Sequence, residues 1–348
     1  MPATLQDALG IDEPIVLGPF GGASSIELTA LVSEAGGLGS YGLYGYAPDR
    51  IRDTIASLRA ATDRPFAVNL WLPTGDEVTP ADLDLRPYLD ALAPQYEIVG
   101  VEPPTPPAAF LPDFEAQFEA ILDAAPAVVS FVYGIPAPDV LDHARRRGIR
   151  VLATATTVAE AAALDAAGVD AIVASGSEAA GHRVSFLQPA EQSLVGAFSL
   201  IPQVVDAVRV PVIAAGGIAD RRGVAAAFAL GAAGVQVGTA FLRTRQSAVP
   251  ESHRRAIAGA SDTGTVLTRA MSGRLARGIP NRALRDVETR GLVAPFPAQN
   301  WLTGVFRTAA AAHDRGDHLS LWAGQSAALA TRSDAAEVFA ELRAGVPR

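Results

Sequence analysis

One histidine sits where proton transfer would be useful. His182 closes the run Ala174-Ser175-Gly176-Ser177-Glu178-Ala179-Ala180-Gly181-His182-Arg183, eight residues past an apolar strand pattern at Ala171–Ala174. An imidazole with an ordinary pKa near neutrality can take a proton from an acidified carbon or hydrogen-bond a developing anion. The two glycines predict a mobile or tightly turned loop. Glu178 is placed to orient the ring and Arg183 to add positive field. Two further runs suit an anion: Ala214-Ala215-Gly216-Gly217-Ile218-Ala219-Asp220 and Gln236-Val237-Gly238-Thr239-Ala240. Their glycines let backbone N–H groups approach a phosphate, a helix starting near Asp220 presents its positive end, and Thr239 adds a hydroxyl. Taken singly, each glycine pair would serve equally well as a tight turn. A phosphate handle implies a phosphorylated substrate or a flavin mononucleotide. Asn69, at the end of a strand over Phe66–Leu70, would reach a flavin edge or cap a turn.

Other chemistry is narrowed by composition. The chain has 348 residues, no cysteine, 28 basic residues that are all arginine, and a formal charge of −9. Without cysteine there is no disulfide, thiolate nucleophile, zinc–thiolate site or iron–sulfur cluster. Without lysine there is no Schiff-base aldolase and no lysine-tethered pyridoxal phosphate. His143 and His253 read as solvated helix positions, and His313 and His318 as a polar turn beside Asp314 and Asp317. No spacing matches a metal motif, and Ser175-Gly176-Ser177 is not a nucleophile elbow. The acidic balance, with no arginine cluster larger than Arg145–Arg147, argues against nucleic acid. The uncharged stretch Gly223–Leu242 is long enough for a bilayer, but Gly231, Gly234 and Gly238 divide it into helix, turn and strand. Met1–Pro14 lacks the basic start of a secretory signal, so a cytoplasmic protein that does not enter membranes is expected.

These residues need a scaffold that brings several loops to one rim. Strand patterns fall at Ile15–Leu17, Leu38–Tyr41, Phe66–Leu70, Val128–Val132, Arg150–Ala153, Ala171–Ala174, Val212–Ala215 and Gly234–Val237. Most are solid apolar runs, as for parallel strands covered on both faces. Helical patterns lie between them at Ser25–Glu34, Asp49–Ala60, Phe114–Ala124, Pro138–Arg147, Val158–Ala167 and Arg221–Leu230. Eight βα units predict an α/β fold, a (β/α)8 TIM barrel, rather than a doubly wound sheet. Barrel active sites lie at the C-terminal ends of the strands, with phosphate after strands seven and eight. Pro73–Pro112 reads as an extended, proline-rich excursion. The βα rhythm stops near Arg243, predicting a barrel over residues 1–243 and a smaller C-terminal domain over 244–348 that packs on the barrel mouth.

The chain resembles the nitronate monooxygenases, formerly 2-nitropropane dioxygenases, which are FMN-dependent TIM barrels. The likeness is carried by Glu34-Ala35-Gly36-Gly37-Leu38-Gly39, Arg64-Pro65-Phe66-Ala67-Val68-Asn69-Leu70, the Glu-Ala-Ala-Gly-His-Arg loop and the two glycine runs, and resumes at Thr265–Arg282 and Leu319–Gln325. The resemblance implies FMN contacts from Asn69, Ser175, Ala180, Gly181, Gly216, Gly217, Gln236, Val237, Gly238 and Thr239, with His182 catalytic and no metal. It implies oxidation of alkyl nitronates, or of nitroalkanes, by dioxygen to a carbonyl compound and nitrite. The sequence departs from the family pattern in three places. Pro19-Phe20 stands where proline-methionine is usual, Ser175 where glutamine is usual, and Ala180-Gly181 where a glycine pair is usual. Two other activities fit the residues: an NAD(P)H-dependent flavin reductase of quinones or enoyl thioesters, and a cofactor-free lyase or isomerase of a phosphorylated substrate. Tyr41, Tyr44 and Tyr46 would line the cavity or pack in the core.

Overall fold

The computed structural model describes residues 4–347. Eight parallel strands, β1 (Ile15–Leu17), β2 (Gly39–Gly42), β3 (Phe66–Trp71), β4 (Val128–Val132), β5 (Arg150–Ala155), β6 (Ala171–Ser175), β8 (Val212–Ala215) and β9 (Gly234–Val237), run in the spatial order β1-β9-β8-β6-β5-β4-β3-β2. The ring closes where the Leu17 N–H donates to the Leu38 carbonyl and the Leu38 N–H to that of Ile15, each at 2.9 Å. This is the expected TIM barrel. The remaining strands, β7 (Gly181–His182), β10 (Val266–Thr268) and β11 (Ala276–Gly278), form a small antiparallel sheet with β11 in the middle.

Alternation along the strands explains why the runs are solidly apolar. Val16, Ala67, Val128, Leu152, Val173 and Ile213 share one cluster with Leu5 and Leu9 of the helix Leu5–Leu9. Their strand neighbours Ile15, Leu17, Val68, Val129, Val151, Ile172 and Val212 belong to a second cluster with the surrounding helices. One face fills the barrel and the other meets the helix layer, so neither is polar. The N-terminal segment therefore contributes a helix to the barrel; its first three residues lie outside the described residues. Among the described residues no helix is long and apolar enough to cross a membrane.

Two stretches differ from the sequence reading. Pro73–Pro112 is not wholly extended: it contains the helix Arg86–Val99. Its prolines disguise it. Pro87 sits in the first turn, where a missing N–H costs nothing, and Pro94 is carried inside the helix. The helix buries Leu92, Gln95 and Tyr96. A second helix, Ala197–Ala207, follows the histidine loop and also carries an internal proline, Pro202.

Packing brings distant parts of the chain together. Leu92 and Tyr96 share a core with Met271, Leu284, Leu302 and Phe306, so the excursion and the region after residue 260 form one cap. The last helix, Ala335–Arg343, instead places Val338, Phe339 and Leu342 in the cluster around the barrel.

Candidate active site

A cavity of about 610 Å³ opens at the C-terminal ends of the strands, beneath the cap. The two-residue period of the strands selects its floor. Counting upward from interior residues, Ala67 leads to Asn69 and Trp71, Leu152 to Thr154, and Val173 to Ser175, and all four end residues line the cavity. The amide nitrogen of Asn69 donates to the Ser130 carbonyl (3.1 Å) and hydroxyl (3.0 Å), which fixes its orientation.

The glycine loops form the opposite wall. Gly216 and Gly217 have φ of +96° and +74°, a region where only glycine is unstrained. A Cβ on Gly216 would lie 3.1 Å from the Gly176 carbonyl oxygen, and one on Gly18 would lie 3.2 Å from the Gly238 Cα. The backbone N–H groups of Gly217 and Gly238 donate to no acceptor among the described residues. A glycine cradle with unused donors fits the phosphate of a flavin nucleotide. The cap completes this wall: the Thr239 hydroxyl accepts from Gly324 N–H (3.0 Å), and the Ser326 hydroxyl donates to the Gly217 carbonyl (2.7 Å).

The structure brings nearly all the expected cofactor residues together. Asn69, Ser175, Ala180, Gly181, Gly216, Gly217, Gln236, Gly238 and Thr239 line the cavity, with His182. Val237 does not: its side chain is buried in the barrel wall, and its carbonyl accepts from Gly18 N–H at 2.8 Å. Alternation turns it to the opposite face from Gln236. Tyr44 and Tyr46 reach the cavity, whereas Tyr41 is in the core with its hydroxyl 3.3 Å from that of Tyr46.

His182 lies on β7, opposite Ala276 of β11, so the loop expected to be mobile or tightly turned ends in a paired strand. Its ring stands edge-on to Trp71 (centroids 4.9 Å apart) and near Trp322 (5.5 Å). Nε2 lies 2.8 Å from the Ser272 hydroxyl. Burial, helped by the charges of Arg274 and Arg307, pushes the imidazole pKa down to about 3, leaving the ring neutral.

Both charged neighbours of His182 have other tasks. The Glu178 carboxylate accepts from Ala197 N–H (2.9 and 3.0 Å) and caps the helix Ala197–Ala207, so it does not orient the imidazole. Arg183 is only 2% exposed; its guanidinium donates to the carbonyls of Gly176 (2.7 Å) and Ser175 (2.9 Å), pinning the loop after β6 from beneath. His253 is not solvated but 4% exposed, lining the cavity with Nε2 3.0 Å from the Trp322 carbonyl. His318 is buried as well, while His143 and His313 are exposed as expected. No cluster of metal-ligating side chains occurs among the described residues.

The cap adds positive charge to the site. Arg307 lines the cavity, donating to the Ser320 hydroxyl (3.0 Å) and to the Asn300 carbonyl (2.9 Å) and Oδ1 (2.8 Å). Among the described residues its Nε has no partner, and burial pushes its pKa down to about 10. Arg274 is held between the rings of Tyr133 (4.4 Å) and Phe296 (3.9 Å) and paired with Asp76 (2.8 Å) and Glu77 (3.0 Å). Trp71 was legible, being two residues beyond Asn69 on the same strand face. Ser272 and Trp322 fall in the segments Thr265–Arg282 and Leu319–Gln325 that carry the family likeness, whereas nothing in the sequence marked Arg307.

A TIM barrel with a glycine-lined anion cradle and a buried histidine in one cavity defines a barrel with an anion site at its rim, and the family matches make it a flavin-dependent oxidoreductase. The family model for nitronate monooxygenase matches residues 3–345. A probable nitronate monooxygenase of Staphylococcus aureus (strain Newman) is 39% identical over 345 residues, covering 97% of this chain and 95% of the relative. A nitroalkane oxidase from Streptomyces ansochromogenes superimposes with a TM-score of 0.88 at 38% identity, covering 98% of both chains. FabK from Thermotoga maritima follows with a TM-score of 0.76 at 32% identity, covering 98% of this chain and 94% of that one. The chain belongs to the nitronate monooxygenase family. Membership removes the cofactor-free lyase or isomerase alternative.

Proposed function

We propose that this protein binds FMN at the barrel rim and oxidises alkyl nitronates with dioxygen, releasing a carbonyl compound and nitrite. The reading is carried by the meeting of the glycine cradle and neutral His182 in one cavity. Gly217, Gly238 and Thr239 would hold the phosphate, with Asn69, Ser175 and Gln236 toward the ring. Bound there, FMN supplies the electron-accepting chemistry that the side chains lack.

The protein's own residues have defined tasks. Neutral His182 brings no positive charge to an anionic nitronate. Compensation of the negative charge falls to Arg307, whose guanidinium is buried at the cavity wall and, among the described residues, hydrogen-bonded only to uncharged partners. When a neutral nitroalkane binds instead, His182 is the group that accepts its α-proton. Trp71 and Trp322 pack against the imidazole and hold its ring in place.

Anaerobic mixing tests the proposal. Nitronate is expected to bleach the visible flavin absorption of the purified protein, and NADPH to leave it unchanged. Rapid bleaching by NADPH, with none by nitronate, would overturn it in favour of a reductase. His182→Asn is expected to lower kcat/KM for neutral nitroalkane by roughly 100-fold or more, the scale of a lost general base. Unchanged turnover of nitroalkane by the variant would remove His182 as the base.

A further inference from the structure

We propose that Ser272 is a positioning residue that sets the tautomer of His182, keeping the proton on Nε2 and leaving the Nδ1 lone pair for the substrate. The activity consequence rests on the proposed oxidation of nitro compounds; the tautomer itself does not.

The argument is a count of hydrogen-bonding capacity. The Ser272 oxygen lies 2.8 Å from His182 Nε2, 3.1 Å from the Arg274 carbonyl oxygen and 3.3 Å from the Arg274 N–H. A hydroxyl has one proton to give and two lone pairs to receive. The Arg274 N–H can only donate, so the hydroxyl proton goes either to the Arg274 carbonyl or to Nε2. Among the described residues no other donor reaches that carbonyl. Turning the hydroxyl toward Nε2 would strand a buried carbonyl and put the imidazole proton on Nδ1. Directing it to Arg274 satisfies the carbonyl, and the hydroxyl then accepts from Nε2–H. Among the described residues nothing hydrogen-bonds Nδ1, on a ring that lines the cavity.

Both partners are rigidly held. Ser272 is 1% exposed. The carbonyls just before it accept from Gln299 Nε2 (at Ala270, 2.6 Å) and from the Thr303 hydroxyl (at Met271, 2.6 Å). Arg274, just after it, is clamped between Tyr133 and Phe296. On the other side, β7 pairing and two tryptophan rings fix the imidazole. The relay therefore stays in place without substrate. In nitroalkane deprotonation the α C–H bond breaks, its proton passes to Nδ1, and its electron pair forms the C=N bond of the nitronate. The resulting imidazolium keeps Nε2–H on Ser272, and the adjacent nitronate offsets the cost of a buried cation.

Nitrogen-15 spectra of histidine-labelled holoenzyme test the tautomer directly, with His182 signals identified by their loss in His182→Asn. The wild type is expected to show a protonated, pyrrole-type Nε2 and an unprotonated, pyridine-type Nδ1; Ser272→Ala is expected to show exchange between tautomers. The opposite assignment in the wild type would overturn the proposal, even if the variant fails to fold. In turnover, Ser272→Ala is expected to lower kcat/KM for neutral nitroalkane about tenfold while preformed nitronate changes less than about twofold. Equal losses for both would show a merely structural role. If the wild type oxidises no nitronate at all, the proposed function fails while the spectra still decide the tautomer.

Discussion

His182 and His253 face one cavity, and burial holds both neutral, His182 down to about 3 and His253 down to about 4. Their pKa in an unfolded chain is about 6.5. Between about 6.5 and 4 the unfolded chain binds protons that the folded chain excludes. Stability is therefore full above 6.5 and falls as pH drops through that window, levelling off below the folded values. Thermal melts are expected to show a lower Tm at pH 4.5 than at pH 7.5. His253→Gln is expected to reduce this dependence by up to about 3 kcal/mol, and an unchanged slope would contradict the burial argument. At this scale the sequence identified the residue but not its state. His182 was legible from its place after a strand; its neutrality comes from Trp71, Trp322 and two arginines distant in the chain.

The elements around His182 divide positioning between them. Glu178 caps the helix Ala197–Ala207, so Glu178→Ala is expected to cost about 1 kcal/mol in chemical denaturation and to leave the imidazole orientation unchanged. Gly216→Ala acts on the cradle, where φ is +96° and the added Cβ meets Gly176. It is expected to weaken flavin binding at least tenfold, a loss of about 1.4 kcal/mol, measured by fluorescence titration of the apoprotein. The eight barrel strands were legible because burial on both faces leaves unbroken apolar runs. The helix Arg86–Val99 was not, since Pro87 and Pro94 read as breakers until its buried face finds Leu302 and Phe306. Nor was β7, two residues long, which exists as a strand only because β11 lies beside it.

At the scale of the whole molecule, barrel and cap share the site rather than abut it. Gly324 and Ser326 tie the cap to the glycine loops, and Arg274 ties it to the excursion after β3. Ligand binding at such a seam should stabilise the entire chain. FMN at about 100 times its Kd is expected to add about 2.7 kcal/mol, and riboflavin, lacking the phosphate, much less. Equal stabilisation by both would show that the cradle does not grip phosphate. Arg274→Ala is expected to cost about 2 kcal/mol by removing two aromatic contacts and leaving Glu77 without its cation.

The sequence by itself determined the barrel, the cradle and the histidine, because each is written locally: apolar runs set strands, glycines permit positive φ, and alternation aims Asn69 and Ser175 inward. It also confined the chemistry, since a chain with no cysteine and no lysine leaves histidine, arginine and backbone N–H groups to meet an anion. Only the tertiary structure decided what surrounds them. Glu178 and Arg183, beside His182 in sequence, turn to a helix cap and a loop anchor. Ser272, Arg274 and Arg307, roughly 90 to 125 residues away, supply its hydrogen bond and its field. The physical reason is that desolvation and charge act through space, while a sequence records only neighbours along the chain.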